Sequence, residues 1–259
     1  MSNVNPLDNK VVNGGFCGII RTLGCIGDSL SSGEMESRKD EKNSYHDYFE
    51  YSWGQFLARA AGLTVYNFSR GGMSAKGFLN AEGWLDFRNP EKKCQAYVIA
   101  LGVNDTERGV PIMGDVATDV NPTDCEQNAD TFAGDMGRIM SHIKEIEPKA
   151  RIFLMTIPRH DRVCEAESKK ELHAKIIYDL AEKFEFTYVI DMHKHMPVVD
   201  AQFSKVYRMG GHMNAMGYKL MSEYVMSYMD YIIRENYEDF KQIAFVGREN
   251  DLHNEKYVW

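Results

Sequence analysis

Residues 21–33 read RTLGCIGDSLSSG. The first seven form a β-prone apolar run, and the next six set Asp28 and Ser29 between Gly27 and Gly33. Such a run reads as a buried parallel strand. A strand that stops at Gly-Asp-Ser and passes into a helix leaves a hydroxyl at the carboxyl end of the sheet, where Ser29 is either a helix cap or a nucleophile. Four more runs share this character: TVYNFS (64–69), QAYVIALG (95–102), RIFLMTIP (151–158) and FTYVIDM (186–192). Helical patterns lie between and after them at 48–62, 130–148, 169–185 and 217–236, with Gly62 and Pro148 as stops. Strands alternating with helices imply right-handed crossovers, a parallel sheet covered on both faces, and a ligand site beyond the carboxyl ends of the strands. Two stretches, 31–47 and 103–124, leave strand ends as long irregular loops, with EMESRKDEK (34–42) read as solvated charge.

A chain of 259 residues, 44% hydrophobic and 26% charged, suits one domain over 1–259, with a core of about 19–236 and a C-terminal extension at 237–259. In that extension Phe240, Phe245, Tyr257 and Trp259 imply a tail packed on the domain or on a neighbouring subunit, which makes a homo-oligomer a candidate. A formal net charge of −8 argues against nucleic acid and anionic membrane surfaces as partners. No run approaches the roughly 18 apolar residues of a spanning helix, and the N-terminus lacks the pattern of an export signal. These features, with an odd number of cysteines and no C-x-x-C pair, lead us to expect reduced thiols and a cytoplasmic location.

Three further positions join Ser29 at expected strand ends or a helix start: Gly72 in NFSRGGMS, Asn104 in ALGVND, and His212 in MGGHMNAMGY. A serine hydroxyl needs an imidazole to take its proton, and the oxyanion it creates needs donors, which a close-approaching glycine N–H and an Asn amide supply. In this order the four blocks resemble the SGNH (GDSL-type) hydrolase family, over residues 21–236. The resemblance implies a flavodoxin-like three-layer α/β/α sandwich with a five-stranded, mostly parallel sheet. It also implies a serine esterase, and we expect no cofactor or metal. Carried over position by position, Ser29 is the nucleophile and His212 the base, with the backbone N–H groups of Ser29 and Gly72 and the side chain of Asn104 as the oxyanion hole.

The pattern breaks at Met209, three residues before His212, where the family usually has the Asp that orients the imidazole. A backbone carbonyl of RMGG orients His212 instead, or a substitute carboxylate does, Asp191 and Asp200 being the candidates, or the protein has lost its chemistry. Asp28 is read as fixing the turn through backbone N–H groups. His193 and His195 form an H-x-H pair with Asp191 and His173 as the only further supply of ligands, which falls short of a metal site. The Met-rich last helix reads as core. Tyr45, Tyr48, Tyr51 and Trp53 read equally as helix core or as the wall of a carbohydrate cleft. The expected substrate is a small-molecule or oligosaccharide ester, with acetyl on a carbohydrate alcohol favoured. A thioesterase or lysophospholipase with the same site, and a non-catalytic sugar-binding or scaffold protein, are the rival readings.

Overall fold

The structure, a computed structural model, describes residues 5–39, 42–107, 112–161 and 165–247. The chain enters through a 3-10 turn at Gly15–Ile19 into β1 (Thr22–Gly27) and the single turn α1 (Ser29–Ser32). A hairpin follows, β2 (Glu34–Lys39) and β3 (Lys42–Asp47), then α2 (Trp53–Ala61), β4 (Thr64–Ser69), α3 (Ala75–Ala81) and β5 (Ala96–Ala100). Next come α4 (Val103–Glu107), α5 (Val116–Asp119), α6 (Phe132–Ile146), β6 (Arg151–Met155), α7 (Glu165–Lys183) and β7 (Thr187–Ile190). The remainder is α8 (Met192–His195), α9 (Ala201–Tyr207), a two-residue ribbon of β8 (Arg208–Met209) and β9 (His212–Met213), α10 (Ala215–Glu235) and α11 (Tyr237–Phe240).

The central sheet runs β4-β1-β5-β6-β7, and every pairing in it is parallel. Counting only these five strands, the order is 2-1-3-4-5, the flavodoxin-like winding whose switch point lies between the first and third strands. Those two strands, β1 and β5, deliver Ser29 and Asn104.

Side chains alternate across the sheet with a period of two. Leu23 and Cys25 of β1, Val98 of β5 and Phe153 of β6 face a core completed by α2 and α10. Ile26, Tyr97, Ile99, Ile152 and Leu154 face the opposite core with α3, α6 and α7. Each large apolar side chain so buried contributes about 1.5–3 kcal/mol. Helix α10 presents Tyr218, Met221, Val225, Met229 and Ile232 to its core at helical spacing, whereas Met216 is exposed. Trp53 is fully buried, so it belongs to the core and not to a cleft wall. The tail is divided: Phe240 packs on Phe153 and Tyr188, Phe245 is exposed, and Tyr257 and Trp259 lie outside the described residues.

The described part of this charged run, Glu34–Lys39, is not a solvated loop. Alpha-1 ends at Gly33, whose φ of 80° is the left-handed conformation that glycine adopts without steric cost. The chain then turns directly into β2, paired antiparallel with β3 so that Glu36 opposes Tyr45 and Glu34 opposes Asp47. Strand alternation puts Glu34 and Glu36 on one face and sends Met35 against the core. The result is a buried Glu36 carboxylate in the middle of a charged run.

Candidate active site

Ser29, Gly72, Asn104 and His212 line one cavity of about 810 Å³ at the carboxyl end of the sheet. Each is held by local chemistry. Asp28 caps α1 by accepting the Leu30 N–H at 2.9 Å, which fixes the turn that carries Ser29. Asn104 donates its amide to the Met73 carbonyl at 3.0 Å and, at a longer 3.3 Å, to the other oxygen of Asp28. The Gly71-Gly72 turn follows β4; Gly72 has φ 73°, and at Gly71 a Cβ would come within 2.1 Å of Glu34 Oε2. Glycine at 71 is what lets Glu34 lie against the turn. Tyr218, buried on α10, points its hydroxyl at the Glu34 carbonyl at 2.6 Å and the Ser29 carbonyl at 3.3 Å, tying the last helix to the serine turn.

His212 opens β9, just before α10, which Asn214 caps at the Gly217 N–H. Its Nδ1 is 2.8 Å from Glu36 Oε1, and the same oxygen accepts the Gly211 N–H at 2.5 Å. Burial pushes the Glu36 carboxyl up, but the hydrogen bonds from His212 and Gly211 and the charge of the imidazole outweigh it and hold the group below the usual carboxylate range. Glu36 is therefore a charged acceptor, and it fixes Nδ1 as the protonated nitrogen. On the other side of the ring, Nε2 stands 3.0 Å from Glu34 Oε1. Burial raises the Glu34 carboxyl, His212 opposes that rise, and Asp47 and Glu36 add to it. The Tyr45 ring meets His212 edge-on, with centroids 5.5 Å apart, and Tyr45 also lines the cavity.

The carboxylates expected to orient His212 are elsewhere. Asp191 caps α8 at the Lys194 N–H and accepts from the hydroxyls of Thr156 at 2.9 Å and Tyr178 at 2.7 Å. Asp200 caps α9 through the Phe203 N–H at 2.7 Å. Both act as helix caps, a role that Asp fills wherever a helix N-terminus leaves its N–H groups unpaired. Met209 sits directly opposite His212 in the β8–β9 ribbon, 42% exposed and with no acceptor to offer. The RMGG backbone enters the arrangement through the Gly211 N–H, a donor to Glu36, and not through a carbonyl on the ring.

The H-x-H residues also diverge. His193 Nδ1 is 3.2 Å from the Ile157 carbonyl, and His195 packs against Tyr228. His173 is fully buried with Nε2 3.0 Å from the Leu101 carbonyl, and burial lowers its imidazole to about 4. Among the described residues, these histidines and Asp191 do not gather ligand atoms within 4.8 Å of one another. Tyr48 and Tyr51 are exposed away from the cavity lining.

The model of the GDSL-like lipase/acylhydrolase family matches residues 25–220, which hold Ser29, Gly72, Asn104 and His212. The chain belongs to the GDSL-like lipase/acylhydrolase family. Comparison with curated protein sequences found no match. Among solved structures, a family two carbohydrate esterase from Clostridium thermocellum in complex with cellohexaose superposes with a TM-score of 0.59 at 16% identity, over 85% of this chain and 65% of that one. A family 2 carbohydrate esterase with a carbohydrate-binding domain, from Corynascus thermopiles (Myceliophthora fergusii), gives 0.59 at 17% identity, over 83% and 67%. A lipase/acylhydrolase from Enterococcus faecalis gives 0.56 at 18% identity, over 82% of this chain and 96% of that one. At these identities the likeness is one of fold, and the GDSL-like acylhydrolase family places the chain among ester hydrolases. Among the described residues, no helix is long and apolar enough to cross a membrane.

Proposed function

We propose that the chain is a serine esterase that removes short acyl groups, acetyl foremost, from carbohydrate alcohols through an acyl-enzyme on Ser29. One observation carries this reading: Ser29, Gly72, Asn104 and His212 share a cavity in which a buried carboxylate, Glu36, holds the imidazole by Nδ1. With Nδ1 so held, the neutral imidazole carries its lone pair on Nε2, the nitrogen on the cavity side, once Glu34 Oε1 is displaced from it, which is the tautomer a general base requires.

In acylation, Ser29 Oγ adds to the ester carbonyl while Nε2 takes the hydroxyl proton, and Glu36 stabilises the imidazolium that forms. The oxyanion is bound by the Ser29 and Gly72 N–H groups and by the Asn104 hydrogen that otherwise makes the long contact with Asp28. The tetrahedral intermediate breaks its bond to the alcohol oxygen, which receives the proton from Nε2. Water then attacks the acyl-serine, gives its proton to the same nitrogen, and releases the acid as Ser29 recovers its hydrogen. Three observations support a carbohydrate alcohol: Tyr45 offers an aromatic surface beside the base, the cavity wall mixes polar and apolar side chains, and two neighbours in fold are carbohydrate esterases.

The test is release of acetate from acetylated oligosaccharide and from a chromogenic acetyl ester by the wild type and Ser29→Ala, matched for folding. Serine-dependent turnover that falls from acetyl to dodecanoyl esters is expected. Turnover that rises with chain length transfers the site to a lipase or thioesterase role, and turnover that survives in Ser29→Ala overturns the mechanism.

A further inference from the structure

The scheme above uses one of the two carboxylates on His212 and leaves the other in its way. Glu34 Oε1 stands at ion-pair distance from Nε2, the atom that must receive the serine proton. Its other oxygen lies against the Gly71 turn, so the carboxylate spans the gap between the base and the oxyanion loop. Glu34 lines the cavity, and its side chain is only 14% exposed. Its backbone is pinned by Tyr218, and β2 places it two residues before Glu36, so its presence at Nε2 is built into the hairpin.

A substrate that uses Nε2 must displace Glu34 from it; the proton that the two groups share passes to solvent, so that Nε2 recovers its lone pair and Glu34 stays a carboxylate. The alcohol oxygen of the ester has to come within hydrogen-bond reach of Nε2 to collect its proton on leaving. Groups attached beside that oxygen therefore occupy the space around the displaced carboxylate. A half-buried carboxylate that loses its imidazole partner needs another donor. An ester of a simple alcohol supplies none, whereas a hydroxyl on the neighbouring carbon supplies one directed at Glu34. An ammonium group would also serve chemically, but Lys170, His160 and Arg208 line the same cavity and disfavour a cationic substrate.

We propose that Glu34 is a specificity-determining residue that selects alcohols carrying a hydroxyl vicinal to the ester: displaced from His212 Nε2, it accepts the hydrogen bond of that hydroxyl. The inference rests on the serine-esterase reading and names the structural feature of the alcohol that the site reads. Monoesters of vicinal diols, the arrangement of a partly acetylated sugar ring, are then good substrates, and esters with that hydroxyl blocked are poor ones. Glu34 also works against non-productive proton transfer from Ser29 while the cavity is empty, because Nε2 is engaged until such an ester arrives.

The experiment compares kcat/KM for 2-hydroxyethyl acetate and 2-methoxyethyl acetate, neutral esters of which the second carries a methyl group in place of the donor hydrogen. Wild type, Glu34→Gln, Glu34→Ala and Ser29→Ala are measured side by side. The expected wild-type preference for the hydroxy ester is about tenfold. It shrinks in Glu34→Gln and disappears in Glu34→Ala, where turnover of the methoxy ester rises because the base is uncovered. A purely structural role for Glu34 would lower both esters together and leave their ratio alone. If Ser29→Ala is inactive and the ratio is the same in the wild type and both Glu34 variants, or if the wild type shows no preference, the assignment of Glu34 is overturned and the serine reading stands. If the wild type turns over neither ester, or Ser29→Ala turns over both, the serine-esterase reading fails and takes this inference with it.

Discussion

Glu36 Oε1 lies 2.8 Å from His212 Nδ1 although 176 positions separate the two residues in the chain. The contact joins the first turn that lines the cavity to the last: Glu36 reaches the ring from the hairpin that begins just after α1, and His212 sits in β9, just before the helix that completes the sandwich. On the proposed mechanism, an orienting acid on the serine side of the cavity couples nucleophile and base through one short segment. Glu36→Ala is therefore expected to lower kcat on an acetyl ester about a thousandfold, with KM changed little, since the acid acts on the imidazolium of the transition state. Met209→Asp in the wild-type background is expected to stay within about threefold of normal, because Nδ1 already has its acceptor. Steady-state kinetics at pH 8 decide it, and a near-normal Glu36→Ala would return the role to a backbone group.

Asn104 is expected to contribute to turnover through the oxyanion. Removal of one preorganised donor costs about a hundredfold to a thousandfold in kcat. Asn104→Ala should show that loss while thermal unfolding confirms that α4 and the Met73 loop, which the amide also bridges, remain in place. A kcat within about fivefold of wild type would remove Asn104 from the oxyanion site.

Asp191 separates stability from catalysis. Its carboxylate is buried, takes two hydroxyl hydrogen bonds, and caps α8. Asp191→Ala strands those donors and is expected to destabilise the fold by about 1–3 kcal/mol in urea titration. Activity per folded molecule should be unchanged. Asp200→Asn, which keeps a capping oxygen for α9, should cost a few tenths of a kcal/mol at most.

The sandwich was legible because its strands are apolar on both faces and its helices are bounded by caps and glycines, all of them local signals. GDSL at 27–30, the glycines at 71–72, Asn104 and His212 were legible because each sits where a strand ends or a helix begins. Glu36 was hidden by its surroundings. Read as composition, EMESRKDEK is a charge run, and charge runs are solvated. Read with period two, Glu34 and Glu36 share a face and Met35 takes the other, which is a half-buried strand; the alternation is three residues long and easily lost in a run of nine of which eight are charged or polar. Asp191 and Asp200 misled for the opposite reason, since an Asp before a helix attracts attention whether it serves a site or a cap. No local pattern could have paired His212 with Glu36, because the hydrogen bond forms only after β9 and the hairpin meet across the cavity.

The pH dependence of stability tests the loop beside Asn104. Asp105 is 2% exposed; its Oδ1 accepts the Ala75 N–H at 3.1 Å, and Oδ2 has no hydrogen-bond partner among the described residues. Burial raises this carboxyl from 3.8 to about 6, with backbone N–H groups opposing the rise and Asp135 adding to it. The folded protein thus holds the proton more tightly than the unfolded chain does. Its contribution to stability is fully present below about pH 4 and is lost as pH rises through about 6, an effect of at most about 3 kcal/mol. Asp105→Asn keeps an oxygen for the Ala75 N–H and cannot ionise. Its urea midpoint, relative to wild type, is expected to be clearly higher at pH 8 than at pH 4.5, with the change spread between about pH 4 and pH 6 and complete above that. An equal difference at both pH values would mean that Asp105 ionises in the fold as readily as in water. In that case the place where the Ala75 N–H of α3 meets Asp105 of α4 is more permeable to water than its burial indicates.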